Sequence, residues 1–263
     1  MRYFRLYRKY LWQELKQATA NRGDFLIGFV AILLYQILGL TFIGVIFLNV
    51  SEIQSWRFEE VLFIFGFFHL ASGLFYMHFA WTLRFSERYI IKRQLDALLV
   101  RPLNPYFQII AEGLGSSIQE IFSCLLGVLL MALAASMLQL DWTFDKVLWI
   151  GVGVSLGVVI LGGLFTILAA LSFWVLGSAS LASPLMSLMD FAQYPMDIYN
   201  KYIRFVLTFV IPLGFIAFYP SAGVLRTGYQ HYILMAAVLA VVVGGGGYSL
   251  WQLGLKRYES AGH

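Results

Sequence analysis

Five long apolar runs, separated by short polar segments, organise this chain. The first, 25–48, reads FLIGFVAILLYQILGLTFIGVIFL and holds no charged residue. As a helix it is long enough to cross about 30 Å of hydrocarbon. The second, 61–83, ends on Trp81, with Arg84 just beyond it. The third and fourth, 109–139 and 146–177, are longer than a bilayer requires. At about 1.5 Å per residue each approaches about 50 Å of helix, so they are expected to tilt or to project into the cytoplasm. The last run is 232–254.

The segment between the fourth and last runs admits two readings. Hydropathy selects 203–219, IRFVLTFVIPLGFIAFY, which is strongly apolar but short and interrupted by Pro212. The alternative is a crossing at 179–197, where the chain is only moderately apolar and contains Asp190, followed by a re-entrant pair of short helices at 199–222. Broken backbone at membrane depth is tolerated where it packs against protein. Either reading gives one net crossing, so the topology downstream is the same.

Composition changes the picture by excluding a soluble fold. Hydrophobic residues make up 60% of the 263 residues and charged ones 12%, against about 25% charged in soluble domains. One soluble core would have to hide far more apolar side chains than a chain of this length can enclose. The net charge is +4, but the basic residues lie in short segments between apolar runs. That pattern orients a membrane protein and does not mark nucleic-acid binding.

With the N-terminus inside, segments 1–24, 84–106 and 255–263 are cytoplasmic and hold six, five and two Lys or Arg. The outer loops 49–60 and 140–146 hold only Arg57 and Lys146. Both termini are therefore expected in the cytoplasm. Within 1–24, Tyr3, Tyr7, Leu11, Leu15 and Ala18 form one apolar stripe on a basic helix. A helix lying in the membrane interface has this pattern, as does a helix packed on its own protein. The segment does not read as a cleaved leader, because its charged part is too long and the apolar run after it exceeds an h-region.

Several chemistries lack their signatures. No GxxxxGK[ST] is present, so no P-loop nucleotide site is expected, and no HExxH is present. The single cysteine, Cys124, excludes an internal disulfide. His69 and His78 are nine residues apart, which places them on roughly opposite helical faces. No metal or cofactor is expected on this chain. Gly151, Gly153, Gly157 and the run Gly244–Gly247 read as close helix packing, as do Ala236 and Ala240.

Polar residues inside apolar runs are costly and often functional. Glu112, Ser116, Gln119, Glu120 and Ser123 step by three and four along the third run and form one polar stripe. It fits a substrate route, a subunit interface, or a helix end standing in cytoplasmic water. Asp190 and Gln193 pose the same question on a smaller scale.

The segment 84–106, RFSERYIIKRQLDALLVRPLNPY, starts at the end of one run and leads into the next. Its residues 88–100 have helical spacing, and Pro102 and Pro105 then stop the helix. The pattern fits a short amphipathic helix on the cytoplasmic face, either receiving a soluble partner or resting on lipid headgroups.

This order of elements resembles the permease subunit of a type-2 ABC exporter. The phrases FSERYIIKRQLDALLVRPLNPYFQ (85–108), FAQYPMDIY (191–199), FVIPLGFIAFYPSAGVL (209–225) and KRYESAGH (256–263) resemble an uncharacterised bacterial branch of those permeases. The resemblance implies one all-α transmembrane domain over 1–263, in the bacterial inner membrane. Its six crossings would be at 25–48, 61–83, 109–139, 146–177, 179–197 and 232–254. An interfacial helix would lie at 1–24, a coupling helix at about 88–104, and re-entrant helices at 199–222.

It further implies a second permease subunit, the same chain or a sister, and P-loop ATPase subunits that would carry ATP and Mg. Lys92, Arg93, Leu95, Asp96, Leu98, Leu99, Arg101 and Pro102 would then form the coupling surface. Glu112, Ser116, Gln119, Glu120 and Asp190 would line the substrate route or the subunit interface. An ion-gradient-driven transporter would need more charge within its spans, and usually repeat symmetry. A lipid-modifying enzyme would need a His, Asp or Ser constellation that the sequence does not display.

Overall fold

In the computed structural model, the described residues are 6–9, 12, 16, 22–113, 119–175 and 178–258. The interfacial helix expected at 1–24 falls largely outside them, as does Ser116. The chain is built of helices: α1 (Arg22–Phe47), α2 (Phe58–Phe79), α3 (Gln94–Leu99), α4 (Pro105–Gly113), α5 (Glu120–Met137), α6 (Phe144–Leu171), α7 (Ala182–Met189), α8 (Lys201–Phe205), α9 (Phe218–Leu225), α10 (Tyr232–Leu239) and α11 (Gly245–Arg257). Among the described residues, five helical segments are long and apolar enough to cross a membrane: Arg22–Phe47, Phe58–Arg84, Glu120–Met137, Phe144–Leu171 and Thr227–Arg257. This is an all-α membrane protein.

Helix α2 is the centre of the bundle. Phe63, Ile64, Phe65, Phe67, Ala71 and Phe75 on it are fully buried, whereas α1 buries only Gln36 and Ile43. A helix apolar all round suits either a core or lipid; α2 takes the first place and α1 the periphery. The tightest contact is between α2 and α5. A Cβ on Gly66 would lie 2.7 Å from the Gly127 carbonyl, and one on Gly127 would lie 2.6 Å from the Gly66 carbonyl and from the Leu70 amide nitrogen. Lower down, a Cβ on Gly73 would meet Cys124 Sγ at 2.7 Å.

Helix α6 uses the same device. Gly153 and Gly157 receive Pro220 and the Ile216 backbone, and Gly163 receives the Gly247 turn of α11. The glycines expected to serve packing do so here within one chain, except Gly151, Gly245 and Gly246, which face open space.

Three expected elements are built differently. First, 179–197 is not one long helix. It holds the eight-residue α7 between 3-10 turns at Ser178–Leu181 and Asp190–Gln193. Pro184 sits in the first turn of α7, where a missing N–H costs nothing, and Pro195 prevents continuation beyond the second turn. Second, the helix expected at 88–104 is broken. A π-turn, Ser86–Ile91, ends at Lys92, and Arg93 takes the left-handed conformation at φ 56° before α3 starts. Third, the run 109–139 contains α4 and α5, with 114–118 between them outside the described residues.

Residues 201–225, which contain the run 203–219 that hydropathy alone selects as a crossing, fold as a helical hairpin. Asn200 caps α8 by accepting from the Tyr202 and Ile203 amides at 3.0 Å. The chain reverses through Ile211–Ala217 and returns as α9, with Thr208 and the Tyr219 hydroxyl joined at 2.9 Å.

Both ends of this hairpin meet one ionic cluster. Asp197 accepts from Trp56 Nε1 (3.1 Å), Tyr229 (2.7 Å) and Arg204 (3.0 Å). Arg226 grips both oxygens of Glu60 at 2.8 and 2.7 Å, and its guanidinium lies 3.7 Å over the Trp56 ring. Arg226 also donates to the Ser55 carbonyl at 2.6 Å. That bond steadies a two-residue β-turn, between Glu52–Ile53 and Trp56–Arg57, whose central residues Gln54 and Ser55 both have positive φ.

Two substitutions test this packing. Gly127→Val is expected to cost about 3 kcal/mol, since a side chain there must push two backbones apart; a thermal melt in detergent reads it. Glu60→Gln and Arg226→Gln are each expected to destabilise by about 3 kcal/mol, because one partner stays charged and half-buried. The double variant is expected to recover part of the loss, and a double-mutant cycle measures the coupling.

Candidate functional site: a helical platform and a polar cavity

Two arrangements could carry function, and they lie at different places on α2. The first is at the end of the bundle opposite the β-turn, where α2 runs on through a 3-10 turn, Ala80–Arg84, into the π-turn and α3. The anchor here is aromatic. Trp251 of α11 is fully buried and packs edge-on against Trp81, Phe85, Tyr106 and Phe173, with ring centroids 4.7–5.5 Å apart. Leu95 and Leu98 of α3 are buried in the same cluster.

Polar bonds then fix the chain beyond α3. Gln108, wholly buried, donates to the Leu98 and Leu103 carbonyls at 3.1 Å each. Glu112 receives Tyr89 at 3.3 Å and Arg101 at 3.4 Å. Asn104 caps the turn into α4 through the Tyr106 amide at 2.9 Å. Burial, together with the nearby Glu112 charge, pushes the Tyr89 hydroxyl well above its ordinary range. Burial and the facing Asp96 carboxylate push Tyr258 up in the same way. Both tyrosines therefore stay neutral, and they hold α3 against the bundle. The exposed Glu87 is held below the usual carboxylate range by its bond to Lys92 at 2.5 Å.

The sequence-expected coupling residues divide by face. Lys92, Arg93, Leu99, Arg101 and Pro102 are exposed, Asp96 is half-buried, and Leu95 and Leu98 point inward and are closed to any partner. The apolar surface left open is Ile91 (60% exposed), Leu99 (41%) and Val100 (84%). It forms a ridge flanked by Lys92, Arg93 and Arg101. Exposed apolar side chains beside basic ones make up this face of the platform.

The second arrangement is a cavity of about 300 Å³ between α1, α2, α5 and the end of α7. Its lining includes Tyr35, Gln36, His69, Ser72, Tyr76, Glu120, Ser123 and Asp190. Gln36 donates to Ser123 Oγ at 2.7 Å, and Tyr35 donates to Asp190 at 2.6 Å.

The expected polar stripe is thus split. Glu120 and Asp190 share this cavity, Glu112 belongs to the platform, and Gln119 packs over Gly28 of α1. His69 faces the cavity while His78 bonds to Tyr7 and to the Leu74 carbonyl. No metal-ligating cluster of three or more His, Cys, Asp or Glu occurs among the described residues. Sequence reasoning passed over Gln108, Trp251 and Gln36. The only available signal was that each is a lone amide or indole in apolar surroundings.

A family described as ABC-2 family transporter protein matches residues 33–262. The chain belongs to the ABC-2 transporter family. The match takes in the platform, the cavity and the helical hairpin alike. No curated protein and no solved structure matches the chain. As an ABC-2 membrane component, the protein is a multi-pass transport subunit.

Trp251→Ala is expected to release the platform of this ABC-2 subunit. Loss of a fully buried indole costs about 3–5 kcal/mol. Here the loss should fall locally: amide hydrogen exchange is expected to quicken over 86–99 and to stay slow over 58–79.

Proposed function

We propose that this chain is the membrane permease of an ATP-driven exporter, whose energy comes from a separate P-loop ATPase docked on the platform. The carrying observation is the two-faced α3 region. Its inner face is locked into the bundle by Leu95, Leu98 and the Trp251 cluster, and its outer face offers Ile91, Leu99 and Val100 with Lys92, Arg93 and Arg101. A partner that moves this ridge bears on α2 and α11 as well, because Leu95 and Leu98 lie in the cluster in which Trp81 and Phe85, just beyond α2, pack on Trp251 of α11. Closure of the ATPase on ATP would in this way reach the helices.

The basic residues of 1–24, 84–106 and 255–263 support placing this end in the cytoplasm of a bacterial cell membrane. ATP and Mg belong to the partner, and this chain contributes no step of hydrolysis. A second permease, identical or a sister, completes the transporter. The hairpin 201–225 then reads as a re-entrant pair on the outer side, its exposed face of Tyr202, Phe205, Phe209 and Val210 meeting lipid or that second permease.

The test is co-purification of the tagged chain with the P-loop ATPase of a neighbouring reading frame, followed by ATPase assay in lipid. Leu99→Asp with Val100→Glu is expected to cut ATPase stimulation about tenfold or more, as loss of apolar anchors does at an interface, with the melting temperature of the chain unchanged. Asp96→Ala and Arg101→Ala are expected to lower stimulation as well. A complex that never contains an ATPase, with transport persisting in the absence of ATP, would overturn the reading.

A further inference from the structure

The polar cavity between α1, α2, α5 and α7 presents hydrogen-bond acceptors and negative charge almost without counterpart. Glu120 and Asp190 bring two carboxylates, and among the described residues no Lys or Arg lines the space. Gln36 is 2% exposed; its amide nitrogen is committed to Ser123 Oγ, which leaves its buried Oε1 without a partner. Ser123 in turn donates to the His69 carbonyl at 3.4 Å. His69 is also 2% exposed, and its buried Nε2 has no partner. Buried polar atoms normally find partners, and an orphaned amide oxygen beside two carboxylates suits a cation that carries N–H donors, with His69 Nε2 a further acceptor in the tautomer protonated at Nδ1. Tyr35 and Tyr76 add ring faces of the kind that hold ammonium groups.

We propose that this cavity binds the ammonium group of an amine-bearing substrate. Glu120 and Asp190 balance its charge, while Gln36 Oε1 and His69 Nε2 accept its N–H protons. Asp190 also borders a larger, mostly apolar cavity of about 480 Å³ lined by Phe42, Phe47, Phe191 and Tyr194. The two spaces together fit an amphiphile whose charged nitrogen lies in the first and whose apolar body lies in the second. The proposal rests on the permease reading only for the word substrate; binding itself requires no ATPase.

The experiment uses the full-length chain in phosphatidylcholine nanodiscs, titrated with n-hexylammonium, with n-hexanol and with hexyltrimethylammonium. Calorimetry and thermal melts are the readouts. Saturable binding and a raised melting temperature are expected with n-hexylammonium alone, and hexyltrimethylammonium, which lacks N–H donors, is expected to bind more weakly. Glu120→Gln and Asp190→Asn are each expected to weaken n-hexylammonium by about tenfold or more, the worth of one charge-assisted bond.

Gln36→Leu is expected to weaken it less. Without ligand, these variants are expected to melt no lower than the wild type, which separates a binding role from a structural one. Should Glu120→Gln fail to fold, the exposed Asp190→Asn carries the test. Equal saturable binding of n-hexanol, or undiminished amine binding in the carboxylate variants, would overturn the proposal. A failed amine titration leaves the ATPase co-purification result standing, and the reverse also holds.

Discussion

The contact of α2 with α5 sets the register of the bundle. In lipid there is no hydrophobic gain from bringing two apolar helices together, so association depends on van der Waals fit and interhelical polar bonds. Gly66 and Gly127 allow the two backbones to touch, and Gly73 does the same against Cys124 one stretch further on. Between these two contacts lies His69 of α2, with Ser123 of α5 next to Cys124, so the register that packs the glycines also builds one wall of the polar cavity. From the fixed helix, Glu60 reaches Arg226 at one end and Trp81 reaches Trp251 at the other.

The two ends of α2 are secured by different chemistry. At the β-turn end the bonds are ionic and specific: Asp197 and Glu60 each satisfy more than one donor, and together they close the hairpin 201–225 onto the turn. At the platform end the contact is aromatic, edge-to-face rings around Trp251, with buried Gln108 adding bonds to two backbone carbonyls. The platform is thus joined to α11 and to the end of α2 mainly through packing, not through ion pairs.

How much of this was legible depends on the kind of signal. Long apolar runs give α1, α2, α5, α6 and the α10–α11 segment, because lipid forces length and composition together. Gly153 and Gly157 of α6 and Gly247 of α11 were legible as packing positions, whereas Gly151, Gly245 and Gly246 face open space, because a glycine alone does not say which side of a helix meets a neighbour. The break at Arg93 was not, because a single left-handed residue leaves helical spacing intact on either side of it. Nor was the inward face of Leu95 and Leu98: spacing predicts that α3 has an apolar face but not which body buries it. The split of the polar stripe depended on where Glu112 and Glu120 find partners, and those partners, Arg101 and Tyr89 for one and a shared cavity for the other, lie far from them in sequence or on other helices.

The cavity is the place where local preference and fold disagree, and magnitudes decide how to read it. An unpartnered buried polar group costs about 1–3 kcal/mol, so Gln36 and His69 together forgo a substantial part of a marginal stability. Leu at position 36 would pack against the same neighbours without that cost, and Phe or Leu at 69 would extend the apolar face of α2. Bundle packing therefore does not account for these residues. A ligand that brings its own N–H donors accounts for both at once, and for two carboxylates beside which no Lys or Arg stands among the described residues.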